Sequence, residues 1–469
     1  MSAPTRVSAF RLLLPLLAAG AVLAAPAPPG LSAAGQRVLA VIVLAIGFWG
    51  LETLPPGVTG MVTMVALVVT GAVPGVREAL VGFADPIAYF LLGVLTLGLA
   101  VARSGLAERV AQIMIGLSGG RVRKLYVHLL LGFPLLTLLL PSATTRTGIL
   151  VHVYDQALEL SGVAPGAPVA RAIMLALNSV NRLASTILLT GGITPVVAAG
   201  LIGTVSWTRW LVLMWLPYGV LLTLAALVIF ARYHRGLHGA FPVTPRPERR
   251  PLTAVEVRTA VIVAGAALLW LTDAVHHWHP VLPALIAWIC LLAPGVGVLS
   301  WRDFEHGVGW ANFFVIAASL SLAQALGRTG ASTWLAGHVA AAARQVGDSP
   351  LLVVGVLVLA SAVVRLVIPN ITGFLATTIP VAMAVGAASG VNPIVCGLVV
   401  TLAGDAVLYY PAQSASSLVV YERGHLSAGE IFGFGLVMAV LAAVVLFVVA
   451  IPYWTLVGEP LGLATQAGS

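Results

Sequence analysis

The sequence predicts an all-α polytopic membrane protein of about eleven transmembrane helices, with two re-entrant hairpins in an inverted-topology repeat. Hydrophobic residues make up 59% of the chain and charged residues only 9%, whereas an average soluble domain has roughly 25% charged residues. Apolar stretches of about 17–25 residues, the length that crosses a bilayer, recur along nearly the whole chain. Two of these stretches are interrupted by proline and hydrogen-bonding residues. These observations predict one membrane domain.

The first half, residues 1–231, begins with an apolar run that follows Arg6 and Arg11. This run resembles a signal peptide. Because further spans follow directly, we favour a retained first helix. The predicted order is spans at 10–25, 38–54, 57–73 and 87–102, an interfacial segment to 124, a hairpin at 125–160, a broken span at 169–202 and a span at 210–231.

A polar loop at residues 232–258, rich in arginine and proline, is predicted to be a cytoplasmic linker between the two halves. The second half covers residues 259–469. Its predicted order is spans at 259–274, 281–299 and 313–326, an interfacial segment to 344, a hairpin at 351–388, a broken span at 394–420 and a span at 431–456.

Two pairs of short motifs indicate that the halves are related. Pro141-Ser142-Ala143-Thr144 and Pro369-Asn370-Ile371-Thr372 each interrupt an apolar stretch, 228 positions apart. Arg103-Ser104-Gly105 and Arg328-Thr329-Gly330 each end a span, 225 positions apart. A tripeptide match can arise by chance, but two matches in the same order favour an internal repeat.

The arginine-rich loops predict the orientation. The loop around Arg103 and the linker at 232–258 are the most basic, so both are expected on the cytoplasmic side together with the N-terminus. Counting spans then brings the first hairpin in from the cytoplasm and the second from outside. The net charge of +8 comes from short loops, so nucleic-acid binding is not predicted.

The breaks predict a binding site for a small anion. Broken backbone inside a bilayer survives only where it is buried in protein or lines a cavity, and helix N-termini attract anions. The predicted substrate ligands are Ser142, Thr144, Thr145, Arg146, Thr194, Asn370, Thr372 and Ser414. Carbonyl and hydroxyl oxygens suit Na⁺; the predicted cation ligands are Ser142, Gly191, Gly192, Asn370, Ser416 and Ser417.

Several polar residues lie where burial is costly, which marks them as functional candidates. Arg146 either contacts the anion or pairs structurally, and Arg365 is expected to be structural. Asp405 either carries a coupling proton, binds Na⁺ or forms a salt bridge with an arginine. Arg182, which follows Asn178 and Asn181, is assigned with them to coupling or pairing.

Several motifs resemble the divalent anion:sodium symporter family, which transports dicarboxylates, citrate and sulfate. The resemblance covers most of the chain, and the hairpin tips stand where the family has paired Ser-Asn-Thr motifs. The similar segments are Phe83-Ala84-Asp85-Pro86, Arg103-Ser104-Gly105-Leu106, Trp301-Arg302-Asp303, Gly309-Trp310 and Pro411 through Gly424-His425-Leu426.

The resemblance implies a homodimer, elevator-type movement of the hairpins, Na⁺ sites at the tips and breaks, and an anion between the tips. The chain departs from the family pattern at both tips, which read Ser142-Ala143-Thr144 and Asn370-Ile371-Thr372. The family's Thr-Pro-Pro-Asn turn is replaced by Ser414-Ala415-Ser416-Ser417, and the first-half turn reads Gly192-Ile193-Thr194-Pro195.

The predicted function is secondary active transport of a small divalent anion (a dicarboxylate, a tricarboxylate or a sulfate-like ion) across the inner membrane, coupled to Na⁺. The alternatives are proton coupling, exchange, an arsenite-type or ion-antiporter-like permease, and, from another class, a membrane-embedded enzyme or receptor subunit. The sequence has no Walker loop, dinucleotide fingerprint or HExxH motif, so no cofactor other than the coupling ion is predicted.

Overall fold

The computed structural model describes residues 9–51, 53–140, 142–203, 206–238, 251–346 and 349–462, without the side chains of 9, 339, 340 and 342–346. Residues 239–250 of the predicted linker therefore lie outside the described residues, as does Pro141. Within the described ranges the chain is helical, and the one β-type contact is an isolated bridge between Val391 and Gly462.

The described residues before the linker form a first set of short and long helices. They are α1 (Ala9–Ala24), α2 (Ala33–Gly50), α3 (Pro56–Val69), α4 (Val76–Ala79), α5 (Pro86–Ser104), α6 (Leu106–Leu117), α7 (Val122–Leu139), α8 (Ala143–Leu160), α9 (Pro168–Leu175), α10 (Asn181–Ile187), α11 (Ile193–Ile202) and α12 (Trp207–Tyr233). A π-helical segment, Ala176–Val180, joins α9 to α10.

The described residues after the linker form a second set of helices. They are α13 (Ala254–Leu271), α14 (Asp273–His276), α15 (Val281–Leu292), α16 (Trp301–Gly307), α17 (Trp310–Arg328), α18 (Ala331–Val346), α19 (Pro350–Val367), α20 (Ile371–Ala388), α21 (Pro393–Ala406), α22 (Ala415–Tyr421), α23 (Ala428–Val445) and α24 (Ile451–Leu456). A π-helical segment, Leu446–Ala450, joins α23 to α24.

Among the described residues, nine helices or joined helices are long and apolar enough to cross a membrane. Their outer surfaces expose large apolar side chains such as Leu131 (69% exposed) and Val440 (64%), as expected of helices that face lipid. The predicted all-α polytopic membrane class is therefore confirmed. The count of eleven crossings and the re-entrant character of the hairpins stay predictions.

The two predicted hairpins have the same dimensions. α7 and α8 each contain 18 residues, and so do α19 and α20. Every boundary in the second pair lies 228 positions after its counterpart in the first. The long helices α5 and α17 are followed by Gly105 and Gly330, whose φ angles of 77° and 72° are left-handed values that favour glycine.

Polar contacts divide the helix ends into two groups. At one end of α12, Arg209 pairs with Glu459 at 2.8 Å, and the Thr208 amide donates to Asp273. At the other end, the Tyr233 hydroxyl donates to Glu430. We call these ends the Glu459 face and the Glu430 face. Because α12 has 27 residues, they lie about 40 Å apart at 1.5 Å per residue.

The outer ends of the two hairpins lie at opposite faces. Near the end of α8, Asp155 contacts Arg423 and His425, shortly before Glu430 in the chain. Just after α20, Asn392 donates to Glu459. The pair α7–α8 thus extends inward from the Glu430 face and the pair α19–α20 from the Glu459 face, with both helix breaks between the two faces.

Two local features differ from the predicted boundaries. The span predicted at 281–299 ends as a helix at Leu292, because Pro294 and Gly295 follow and Gly295 has a φ of 83°. The first broken span contains the π-helical segment, which the apolar pattern does not reveal because its residues are buried on all sides. Such segments occur frequently at functional sites.

Candidate functional site

Both helix breaks and both broken spans line one cavity of about 1320 Å³. Ten of the predicted site residues line it: Ser142, Thr144, Thr145, Arg182, Thr194, Asn370, Thr372, Asp405, Ser414 and Ser416. Segments separated by more than 200 positions in the sequence thus meet at one place, as the predicted repeat requires.

The cavity extends to exposed residues near the Glu430 face. Arg11, Pro55 and Gly307 are exposed lining residues. Ala102 also lines the cavity, next to the Arg103–Asp303 ion pair. Arg103 lies close in sequence to Arg109, which pairs with Glu256 at the start of α13. Asp273 directly follows α13 and contacts Thr208 at the Glu459 face. The start of α13 therefore lies at the opposite, Glu430 face, and the cavity opens at this face.

The first break is capped by its own side chains. Ser142 Oγ accepts from the Thr145 amide at 3.3 Å and from the Thr145 hydroxyl at 3.0 Å. This N-cap satisfies one of the amide groups that a helix start leaves free. The amides of Ala143 and Thr144, which also line the cavity, are not used by this cap. They are the predicted anion donors of the first tip.

The second break is capped in the same manner by Asn370. Its Oδ1 accepts from the Thr372 amide at 2.8 Å and from the Gly373 amide at 3.3 Å. Asn370 therefore keeps the local geometry that a helix start needs. The amide of Ile371 is not used by this cap, and Ile371 lines the cavity.

Arg146 is fully buried and bonded to protein groups. Nη1 donates to the Leu140 carbonyl at 2.8 Å. Nε donates to Asn181 Oδ1 at 2.6 Å, and Nη2 to the Asn181 carbonyl and Ser185 Oγ. Arg146 is not among the cavity-lining residues. Its geometry favours the structural interpretation, in which it fixes the first break against α10.

Arg365 holds the second break in an equivalent way. Nη1 donates to the carbonyls of Ile368 (2.7 Å) and Pro369, and Nε donates to the Gly404 carbonyl at 3.2 Å. Ile368 stands 228 positions after Leu140, the acceptor of Arg146. Arg146 follows its break and Arg365 precedes its break, yet each donates to the carbonyl at the equivalent position. Arg365 matches its predicted structural role and also lines the cavity.

Asp405 and Arg182 form an ion pair in the cavity wall. Arg182 Nη1 lies 2.7 Å from Asp405 Oδ1. Oδ1 also accepts from Thr194 at 3.2 Å, and Oδ2 accepts from Thr186 at 2.7 Å and Tyr218 at 3.3 Å. The carboxylate of Asp405 is thus surrounded by donors. Of the interpretations open for Asp405, the salt bridge is the one with a partner in place.

The remaining predicted residues lie behind the cavity wall. Asn178 Oδ1 accepts from Ser417 at 2.6 Å, and Asn181 Nδ2 donates to Thr147. Gly191 packs so closely that a Cβ would lie 2.0 Å from the Ser185 carbonyl oxygen, and Gly192 also faces Ser185. These contacts hold the broken spans against their neighbours. Cation binding at Gly191, Gly192 and Ser417 stays a prediction.

Three residues of the site were not predicted. Gln413 Nε2 donates to the Arg365 carbonyl at 2.7 Å, and its Oε1 accepts from the Tyr409 amide. Thr186 and Tyr218 complete the shell around Asp405. Gln413 could have been found from its position between Pro411 and Ser414, and Thr186 from the polar stretch that it ends, whereas Tyr218 lies in ordinary apolar helical sequence.

Comparison with known proteins agrees with this architecture. The sequence profile of the sodium:sulfate symporter transmembrane region matches residues 6–459. The chain belongs to this family. The family resemblance inferred from the motifs is thereby confirmed, and the chain is a membrane transporter rather than an enzyme.

Curated relatives align over nearly the full length of this sodium:sulfate symporter family member. The citrate/succinate antiporter of Escherichia coli K12 is 24% identical over 94% of this chain and 97% of its own. The L-tartrate/succinate antiporter of Shigella dysenteriae is 23% identical over 94% and 96%. Dicarboxylate transporter 2 of the spinach chloroplast is 24% identical over 93% and 80%.

Two solved structures share the fold. The Neisseria gonorrhoeae MtrF structure aligns with 97% of this chain and 95% of its own, at 12% identity and a TM-score of 0.51. The Alcanivorax borkumensis YdaH transporter aligns with 82% of this chain and 87% of its own, at 16% identity and a TM-score of 0.50. At these identities the likeness concerns the fold alone.

Proposed function

We propose that this protein exchanges small dicarboxylate anions across the bacterial inner membrane. The observation that carries the proposal is the single cavity formed by two capped helix starts, two broken spans and a buried arginine. Helix N-termini and arginine suit a small polyanion. The relatives whose names include dicarboxylate, citrate, tartrate and succinate support the substrate class.

Exchange is favoured over the predicted Na⁺ coupling by the charges built into the cavity wall. Arg182, Arg365 and Asp405 in the wall and Arg146 behind it together carry a formal charge of +2, and all four are more than nine-tenths buried. Moving an uncompensated charge through a low-dielectric barrier is costly. An empty carrier therefore returns less readily than one neutralised by an anion, which ties each crossing to a bound substrate.

Na⁺ coupling remains the second candidate because hydroxyl oxygens line both sides of the cavity. Ser142, Thr145, Ser414 and Ser416 are among the lining residues, and hard oxygen ligands suit Na⁺. Against this, Ser142 and Thr145 are bonded to each other, as are Ser414 and Ser416 at 2.7 Å. A bound ion would have to share these contacts.

We further propose that the cavity opens to the cytoplasm and that the hairpins form an inverted-topology repeat. The arginine-rich ends gather at the Glu430 face, which the positive-inside rule assigns to the cytoplasm together with the N-terminus. The equal lengths of the helix pairs and their opposed outer ends support the repeat. Elevator movement and a homodimer are carried forward from the family resemblance alone.

Uptake into proteoliposomes tests the substrate class. Vesicles loaded with unlabelled succinate receive labelled succinate, tartrate, citrate, sulfate or acetate outside. We expect saturable uptake of the dicarboxylates and weak uptake of acetate, because one carboxylate leaves half of the donors unused. A protein that moves none of the dicarboxylates, or acetate equally well, contradicts the proposed function.

A further inference from the structure

Arg182 lines the cavity, and one hydrogen-bonding edge of its guanidinium is buried without a partner among the described residues. Its side chain is 9% exposed, and Nη1 is engaged by Asp405. Nε and Nη2 are buried and donate to no described residue. A buried donor without a partner costs about 1–3 kcal/mol, so this arrangement is expected only where an acceptor is supplied during function.

Asp405 cannot satisfy this edge as well. Its two oxygens already accept from four side chains, two on each oxygen. Turning the carboxylate toward Nη2 would break the bonds to Thr186 and Tyr218. Asp405 therefore holds the guanidinium through Nη1 alone and leaves its other edge without a described partner.

We propose that the Arg182 side chain turns its buried Nε–Nη2 edge into the cavity, where this edge binds one carboxylate of the transported dicarboxylate; this inference rests on the proposed function. Two parallel N–H groups on one edge of a guanidinium match the two oxygens of a carboxylate. The second carboxylate then faces the amides of Ala143, Thr144 and Ile371, which the two caps do not use and which belong to residues that line the same cavity. Arg182 is thus the residue that distinguishes dicarboxylates from monocarboxylates.

Binding of two related ligands tests this role. Purified protein in detergent is titrated with succinate and with succinamate, in which one carboxylate is an amide. We expect wild type to bind succinate about 10- to 100-fold more tightly, the range for a hydrogen bond to a charged group. In the Arg182→Gln/Asp405→Asn double variant, only the site at the helix-start amides remains for a carboxylate. Succinate and succinamate each have a carboxylate that can occupy it. The ratio should fall to about one.

The double variant removes both members of the ion pair, so no lone charge is left buried. If it does not fold, Arg182→Lys serves instead, because lysine keeps the charge but loses the two-donor edge; its ratio should fall at least about threefold. Arg209→Gln/Glu459→Gln makes the same chemical change at the Glu459 face, and its ratio should equal that of wild type.

An unchanged ratio in the Arg182 variants overturns the inference while leaving the proposed function intact, provided that wild type exchanges succinate. Wild-type protein that binds neither ligand contradicts the proposed function itself, and the inference falls with it.

Discussion

Leu140 and Ile368 occupy equivalent places in the two helix breaks, and the carbonyl oxygen of each accepts a hydrogen bond from Nη1 of a buried arginine, at 2.8 Å and 2.7 Å. The two arginines reach these carbonyls from opposite sides of their breaks. The two halves thus share the hydrogen bond to the carbonyl of the break, although the arginine that donates it stands at a different position in each half. This pairing explains how two broken helices persist where water is scarce.

Replacing either arginine by lysine should therefore loosen its break. Arg365→Lys keeps the charge but cannot reach Ile368 and Gly404 together, which should cost about 1–3 kcal/mol for a buried acceptor left unsatisfied. The measurement is the Tm in detergent. Arg171→Lys, at an exposed ion pair with Glu430, should change it little; equal Tm losses in both variants would argue against the capping role.

Asp405→Asn should destabilise the substrate-free protein. Removing one partner of a buried ion pair typically costs about 3–5 kcal/mol, because the other charge is left uncompensated. Succinate should then restore more of the Tm than it adds to wild type, since it supplies the missing negative charge. Glu459→Gln at the partly exposed Arg209 pair is the matched control. A ligand-induced Tm rise no larger than in wild type would contradict the shared use of Arg182.

Gly191→Ala should disturb the first broken span. A Cβ there would lie 2.0 Å from the Ser185 carbonyl oxygen and 2.7 Å from Thr137, and overpacking of this kind costs about 1–3 kcal/mol. Gly219→Ala is the control, because nothing lies within 4 Å of its Cβ position in α12; alanine should raise helix stability by about 0.5–1 kcal/mol. Both effects are measured by Tm. A Gly191→Ala protein as stable as wild type would refute the close packing.

Cysteine accessibility tests the opposed arrangement of the hairpins. Ala164→Cys, just after α8, and Ala388→Cys, at the end of α20, are both exposed positions. In a background without Cys290 and Cys396, a membrane-impermeant maleimide added to intact cells should label Ala388→Cys. It should label Ala164→Cys only after permeabilisation. Labelling of both from the same side would contradict the inverted repeat.

Much of this fold could be predicted from the sequence, because lipid imposes long apolar helices and leaves breaks easy to see. The paired motifs at Ser142 and Asn370 located both tips. The sequence could not show which polar groups face the cavity, since that depends on contacts across more than 200 positions. Arg146 and Arg182 look alike in sequence, yet one is saturated by protein groups and the other has a free edge. The π-helical segment that positions Asn178 leaves no apolar signature.

Counterflow measures the central claim most directly. Labelled succinate is offered to proteoliposomes that are either loaded with unlabelled succinate or empty, with and without an inward Na⁺ gradient. We predict rapid uptake into loaded vesicles regardless of Na⁺, little uptake into empty ones, and loss of counterflow in the Arg182→Gln/Asp405→Asn variant. Uptake into empty vesicles driven by the Na⁺ gradient would contradict the exchange mechanism and favour symport.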